Sequence, residues 1–323
     1  MTDIPIGDWV EQAVQWLSAN ASGFFNGITA GIDFLVEGLQ SILMYPNDYL
    51  TIVLLALIAY LMSSKGYKFF TRSAWKKGWG ITVFTILGLL LLKLMGYWEE
   101  TVSTIALILV SALIALVIGI PLGVWASRND ALDQIIRPVL DFMQTLPPFV
   151  YLIPAIIFFS VGNVPGVVAT IVFSLPPAVR LTNLGIRNVQ QDVVEASRAF
   201  GCTKRQLLFK VQIPLAKPTI LAGVNQVIML ALSMVVIASM IGAGGLGNTV
   251  LTGINRLNIG MGFEGGLGVV ILAIILDRIT QSFGETGRAR SSLLRRAVAA
   301  LGNRVPGTGA VPAQAPAAKR AAE

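Results

Sequence analysis

Charged residues make up 13% of this 323-residue chain, against about 25% in soluble proteins, and its mean hydropathy is +0.73. Such a chain cannot clothe a water-facing surface in polar groups, which excludes a soluble globular protein. The absence of His removes the commonest general base and metal ligand, and the single Cys202 excludes an internal disulfide and any multi-cysteine metal site.

Residues 1–50 contain no Lys or Arg but hold Asp3, Asp8, Glu11, Asp33, Glu37 and Asp48. The opening Met1-Thr-Asp-Ile-Pro has no basic n-region, so no cleavable signal is expected. Over 8–44, apolar residues recur at close to helical spacing (Trp9, Ala13, Trp16, Phe24, Ile28, Ile32, Leu35, Leu39, Ile42). This predicts an amphipathic helix interrupted at Ser22-Gly23, lying either on the membrane surface or against the bundle.

Seven apolar stretches then approach the roughly 20 residues a bilayer requires: 48–64, 78–97, 101–126, 142–161, 164–181, 220–241 and 265–279. The fourth and fifth contain Pro147, Pro148, Pro154, Pro176 and Pro177, which a bundle accommodates as kinks. Lys and Arg set the orientation. They cluster at 65–77, at Arg128 and Arg137, along 180–218 and from Arg278 onward. Seven spans with the N-terminus outside make every one of the 24 basic residues cytoplasmic except Lys93 and Arg256. The +7 net charge is thereby assigned to the membrane and not to nucleic acid. The expected fold is an all-α polytopic membrane protein of about seven helices. It divides into an extracytoplasmic amphipathic segment (1–46), two membrane helices (47–100), a core with a cytoplasmic loop (101–284) and a basic, disordered cytoplasmic tail (285–323).

The most structured polar stretch joins the fifth and sixth spans, from Gln191 to Pro214. It reads as two short helices. Asp192 and Glu195 are placed to cap the first, and Gly201 to end it in the left-handed conformation. Thr203 and Gln206 are placed to cap the second, and Pro214 to stop it. Small residues (Ala196, Ser197, Ala199, Gly201) permit close approach by another backbone, and Phe200 offers an apolar plug. A docking surface and a plain basic connector both fit this pattern.

Glu195-Ala-Ser-x-x-x-Gly201-x9-Val211-x-Ile213-Pro214 resembles the Glu-Ala-Ala loop of ABC-type importer permeases, with Ser197 for Ala, Val211 for Ile and Ile213 for Leu. The segments 145–154, 175–187, 222–241 and 271–280 are similar to the glycine betaine/proline betaine (quaternary ammonium) branch, and the likeness covers about 45–285. The resemblance implies a homodimer of this chain in the bacterial inner membrane, two copies of an ATPase subunit on the cytoplasmic side and an external substrate-binding protein. The chain itself would bind no cofactor and catalyse nothing, ATP being used by its partner. Matched to the motif, Glu195, Ala196, Ser197, Gly201 and Pro214 belong to the ATPase contact, with Phe200 as its plug. Lys204 and Arg205 are assigned to its rim. Glycine betaine, proline betaine, choline and carnitine all suit as solutes.

Other signals carry less. Gly242-Ala-Gly-Gly-Leu-Gly247 matches a dinucleotide-binding pattern but follows a membrane helix where a strand is required, and reads instead as a flexible external hinge. Gly119 and Gly123, one turn apart, mark close packing within the bundle. Lys93 and Asp277 lie near span ends as anchors. Aromatic faces attract quaternary ammonium, which makes Phe142, Phe149, Tyr151 and Phe173 candidates for the passage, with Phe158 and Phe159 nearby. An ion-coupled carrier would need buried ionisable groups at mid-membrane, and an intramembrane enzyme would need His or paired carboxylates. A permease for methionine or another amino acid is the alternative on the same scaffold.

Overall fold

A long apolar run leaves its backbone no partner in lipid but itself, and the elements of the described chain are helical throughout. The computed structural model describes residues 5–64 and 72–302. The basic loop 65–71, with Lys65 and Lys68, and the Ala/Pro-rich segment 303–323 lie outside the described residues. In order the helices are α1 (Ile6–Asn20), α2 (Ser22–Met44), α3 (Asp48–Ser64), α4 (Arg72–Leu94), α5 (Trp98–Ala126), α6 (Asp130–Thr145) and α7 (Pro148–Phe159). There follow α8 (Asn163–Arg187), α9 (Gln191–Ala199), α10 (Lys204–Gln206), α11 (Ile213–Ser239), α12 (Leu246–Asn255) and α13 (Ile259–Gly302).

Each of the seven expected stretches is helical, but the spans differ from expectation. Five helices are long and apolar enough to cross a membrane: α2, α5, α8, the continuous 204–239 segment, and α13 over Ile259–Gln281. The apolar parts of α3 and α4, Asp48–Met62 and Trp79–Leu94, are shorter. The expected span 142–161 is divided: Phe142 ends up on α6, and α7 has 12 residues, a rise of about 18 Å. The two axes meet at 97°, so α6 and α7 make at most one broken span. Leu146 explains the break, because a residue before proline avoids the α region, and it stands at φ −67°, ψ 132° ahead of Pro147-Pro148.

The core is built by α5, α8 and α11. Ile108, Ala112 and Ala115 of α5, Ala178 and Val179 of α8, and Val227, Ala231 and Val235 of α11 form one buried cluster. Small residues set the spacing. A Cβ on Gly123 would stand 2.6 Å from the Val179 carbonyl oxygen, and one on Gly119 equally close to the Ala178 Cβ. The expected glycine packing within the bundle is therefore present, between α5 and α8.

α2 packs on the bundle end opposite the 191–206 loop. Ile32 and Val36 are buried with Leu107, Val164 and Ala243, and the Phe25 ring stacks on Phe158 at 4.4 Å and meets Phe159 edge-on at 5.5 Å. One face of α2 thus packs on protein, while Phe24, Phe34 and Ile42 are exposed. The interruption falls at Ala21. At the same end Lys93 pairs with Asp48 at 3.0 Å and sits 3.4 Å above the Tyr49 ring, anchoring α4 to α3.

Two further expectations are corrected. The 242–247 turn is a packed joint and not a flexible hinge. The Gly244 N–H donates to Asn163 Oδ1 at 2.9 Å, the Leu246 N–H to Thr104 Oγ1 at 2.8 Å, and Leu246 is wholly buried. Only glycine suits Gly245, at φ +90° with a Cβ position against Thr104. The stretch 285–302, placed in a disordered tail, continues α13 as helix, consistent with its Ala, Leu and Arg content.

Gly123→Ala should destabilise the protein by about 1–3 kcal/mol, because the α5–α8 spacing leaves no room for a methyl group. The unfolding midpoint of the detergent-purified protein measures this, and an unchanged midpoint would refute the contact.

Candidate functional site

The 191–214 segment is held by local chemistry at each joint. α9 begins after Gln190 with no side-chain cap. Asp192 is therefore not the cap the sequence suggested. It sits inside the first turn, where a carboxylate favours the helix dipole. Ser197 Oγ turns inward to the Val193 carbonyl at 2.7 Å. The C-terminus closes as a Schellman motif: Gly201 at φ +80°, its N–H donating to the Arg198 carbonyl (2.9 Å) and the Cys202 N–H to the Ser197 carbonyl (3.1 Å). Thr203 and Gln206 form the expected reciprocal box, the Thr203 N–H to Gln206 Oε1 at 2.9 Å and the Gln206 N–H to Thr203 Oγ1 at 3.3 Å.

Pro214 does not stop the second helix. Residues 204–239 run as one continuous helix. A proline inside a helix loses one hydrogen bond and presses on the carbonyl four residues back. Here the preceding turn, Leu207–Gln212, is a π-helix. Its wider turn re-pairs the backbone, with the Ile213 N–H donating to the Leu208 carbonyl, and so takes up the misfit. Leu207 and Leu208 are buried, and Leu208 packs with Ile186 of α8 and Ala216 of α11.

The loop therefore presents a fixed face. α9 buries none of its residues. Glu195, Ala196, Gly201, Lys204, Arg205 and Pro214 are exposed, Ser197 is half-buried, and the Phe200 side chain is 91% exposed. Between the loop and the bundle lies a cleft of about 880 Å³ lined by Arg128, Arg187, Glu195, Arg198 and Lys204 among others.

At the root of the loop is a polar cluster that sequence reasoning missed. Arg187, the last residue of α8, donates from Nε to Asn183 Oδ1 (2.8 Å) and from Nη2 to the Ala126 carbonyl of α5 (2.9 Å). Its Nη1 pairs with Asp130 at 2.7 Å and its Nη2 approaches Asp133 at 3.6 Å. Asp133, 6% exposed, also accepts from Asn183 Nδ2 and Arg137, both at 2.7 Å. Arg128, in the turn between α5 and α6, donates to the Lys204 carbonyl at 2.6 Å. The available signal was three acids, Asp130, Asp133 and Asp141, beside two bases, Arg128 and Arg137, in the connector 127–141.

The four aromatic candidates do not form one site. Tyr151 and Phe173 pack together with Leu152, Ala169, Met234 and Ile241, and the buried Tyr151 hydroxyl has no partner among the described residues. Phe142 and Phe149 are exposed, on α6 and at the start of α7.

A helical bundle with several helices long and apolar enough to cross a membrane, and one capped, exposed polar loop, defines a multi-pass membrane protein. The profile of the family described as "Binding-protein-dependent transport system inner membrane component" matches residues 115–284. The chain is 48% identical over 291 residues to the glycine betaine/proline betaine transport system permease protein ProW of Escherichia coli (strain K12), covering 90% of this chain and 78% of that protein. It is 45% identical over 289 residues to the glycine betaine transport system permease protein OpuAB of Bacillus subtilis (strain 168), covering 90% and 98%. The glycine betaine/carnitine transport permease protein GbuB of Listeria monocytogenes is 48% identical over 286 residues, with 88% and 98% covered. An inward-facing structure of the MetNI methionine ABC transporter matches 60% of this chain and 97% of that chain at 24% identity and a TM-score of 0.50, a likeness of fold. The chain belongs to the ABC-importer permeases, the binding-protein-dependent inner membrane components. It is a multi-pass inner-membrane protein and a non-catalytic transport subunit, whose class works with a separate ATPase and a binding protein.

Thr203→Ala should cost the loop about 1 kcal/mol by removing the box at α10. Faster amide hydrogen exchange at Gln206 and Leu207 in the purified protein would report it, and unchanged exchange would show that the cap contributes nothing.

Proposed function

We propose that this permease carries quaternary ammonium solutes (glycine betaine, proline betaine, carnitine or choline) into the cell, and that the ATPase engages it through the 191–206 loop. The observation that supports the coupling reading is the combination of rigidity and exposure. A segment capped at α10, closed at Gly201 and fused to α11 nevertheless leaves Phe200 exposed and buries no residue of α9. Glu195, Ala196, Ser197, Gly201 and the exposed Phe200 make the contact. Lys204 and Arg205 flank it, each worth about 1 kcal/mol or less as exposed charges. Pro214 belongs to the lever behind that face. The positive-inside distribution supports a cytoplasmic loop and C-terminus and an external N-terminus.

The solute class is supported by the names of relatives that are 45–48% identical over most of their length. The likeness to the methionine transporter is one of fold and carries no solute. A second copy of this chain covers the apolar strip formed by Ile135, Val139 and Phe142 of α6 with Phe149 and Ile153 of α7, all exposed in the single chain. The passage runs between the copies, with the Phe142 and Phe149 rings offering faces to a quaternary ammonium by cation–π attraction, about 0.5–2 kcal/mol each. Tyr151 and Phe173, packed together around Leu152 and Met234, back the passage.

Proteoliposomes holding the permease with its ATPase and binding protein should take up labelled glycine betaine on ATP addition, and excess methionine should not compete. Competition by methionine and not by choline or carnitine would reverse the solute assignment. Gly201→Asp should reduce ATPase co-purification to background while membrane insertion persists. The position has room for a Cβ, with nothing within 4 Å, yet only glycine holds φ +80° without strain. Normal uptake by that variant would remove the loop from the contact.

A further inference from the structure

α6 is attached to the rest of the chain in an unusual way. Of its 16 residues only Asp133 and Leu140 are buried, and its apolar contact with the core is Leu140 with Ile136 and Met143 beside it. Added to that contact is a polar seam along α8: Asp133 with Asn183 and Arg187, Asp130 with Arg187, and Asp141 with Arg180. Arg187 is the centre of that seam. One guanidinium touches the last carbonyl of α5, a side chain of α8 and two carboxylates of α6. It stands four residues before α9, and the adjoining α5–α6 turn is tied to the loop by the Arg128 bond to the Lys204 carbonyl.

We propose that Arg187 is a positioning residue that makes α6 move with the loop, so that a displacement of the 191–206 segment reaches the exposed α6–α7 strip. The proposal rests on the reading of that segment as the ATPase contact. The chemistry favours arginine specifically. Its planar fork supplies five donors at fixed angles, whereas a lysine ammonium is a compact point charge on a flexible stem. Lysine here keeps the charge and cannot hold α5, α6 and α8 in one geometry. Breaking the clamp uncouples two motions without removing either binding face.

The test uses the whole complex in proteoliposomes, reading ATP hydrolysis and glycine betaine uptake in the same vesicles. Arg187→Lys should leave ATPase co-purification intact and lower solute moved per ATP by about fivefold. Asp130→Ala removes a partner whose side chain is 81% exposed, so folding is not at risk, and should lower the same ratio by about twofold. A merely structural defect reduces the amount of active complex and both rates together, leaving the ratio fixed. An unchanged ratio in both variants overturns the clamp, whatever the absolute rates. Loss of ATPase co-purification in both overturns it too, since Arg187 would then shape the docking face itself. Gly201→Asp run in parallel separates the two ideas: its normal uptake would sink the loop contact, whereas a changed ratio in the Arg187 variant concerns the clamp alone.

Discussion

A loop can push a membrane helix only if the joint between them does not bend, and here the joint is an unbroken helix. From Lys204 to Ser239 the backbone continues through the π turn at Leu207–Gln212 and past Pro214 and Pro218. Had Pro214 ended the helix, the loop would hang from a swivel and a push on α9 would be lost in backbone rotation. The π turn gives the proline ring room and keeps the chain helical. Buried Leu207 and Leu208 then fix the turn against α8 and α11, so the stiff section begins at the loop. With the π turn ahead of the proline, the joint stays helical.

Rigidity at one end is matched at the other. The 242–247 turn locks the far end of α11 to α5 and α8 through Thr104 and Asn163, and α2 covers the same region with Ile32 and Val36. Between these ends, α5, α8 and α11 approach closely along small residues. Close backbone approach suits a bilayer, where apolar side chains gain little from leaving lipid and helix association depends on packing and interhelical polar contacts. The three helices therefore form a block, while α6 and α7, bent at 97° and fastened by polar ties, form the part with an exposed face. The same division separates the closely packed block from the exposed strip.

What could be read in the sequence follows the range of the interactions. The Thr203–Gln206 box and the left-handed Gly201 are decided within four residues, and both are present. The seven apolar stretches are helical because composition alone forces it. Asp192 misled because a helix start is set by where the backbone turns, one residue past Gln190, and Asp192 falls inside that turn. Pro214 misled because a π turn is invisible to a pattern of residue types. The division of 142–161 was foreshadowed by Pro147-Pro148, but the size of the bend depends on where α6 docks. The Arg187 cluster joins residues 50 or more positions apart, from Ala126 and Asp133 to Asn183 and Arg187. No local pattern announces it.

Asp133 shows how such a cluster would serve the proposed coupling. A nearly buried carboxylate that loses a partner costs about 3–5 kcal/mol, so Asp133 ties α6 to α8 with a steep penalty for separation. Asp130, on the solvent side of the same guanidinium, can be released for about 1 kcal/mol or less. A clamp built this way holds at its centre and yields at its rim. An apolar contact of equal area would resist sliding less and tilting no more, because its energy depends on area and not on direction. Directional charge-assisted bonds therefore give α6 a fixed position that its apolar contact through Leu140, Ile136 and Met143 alone would leave free to slip.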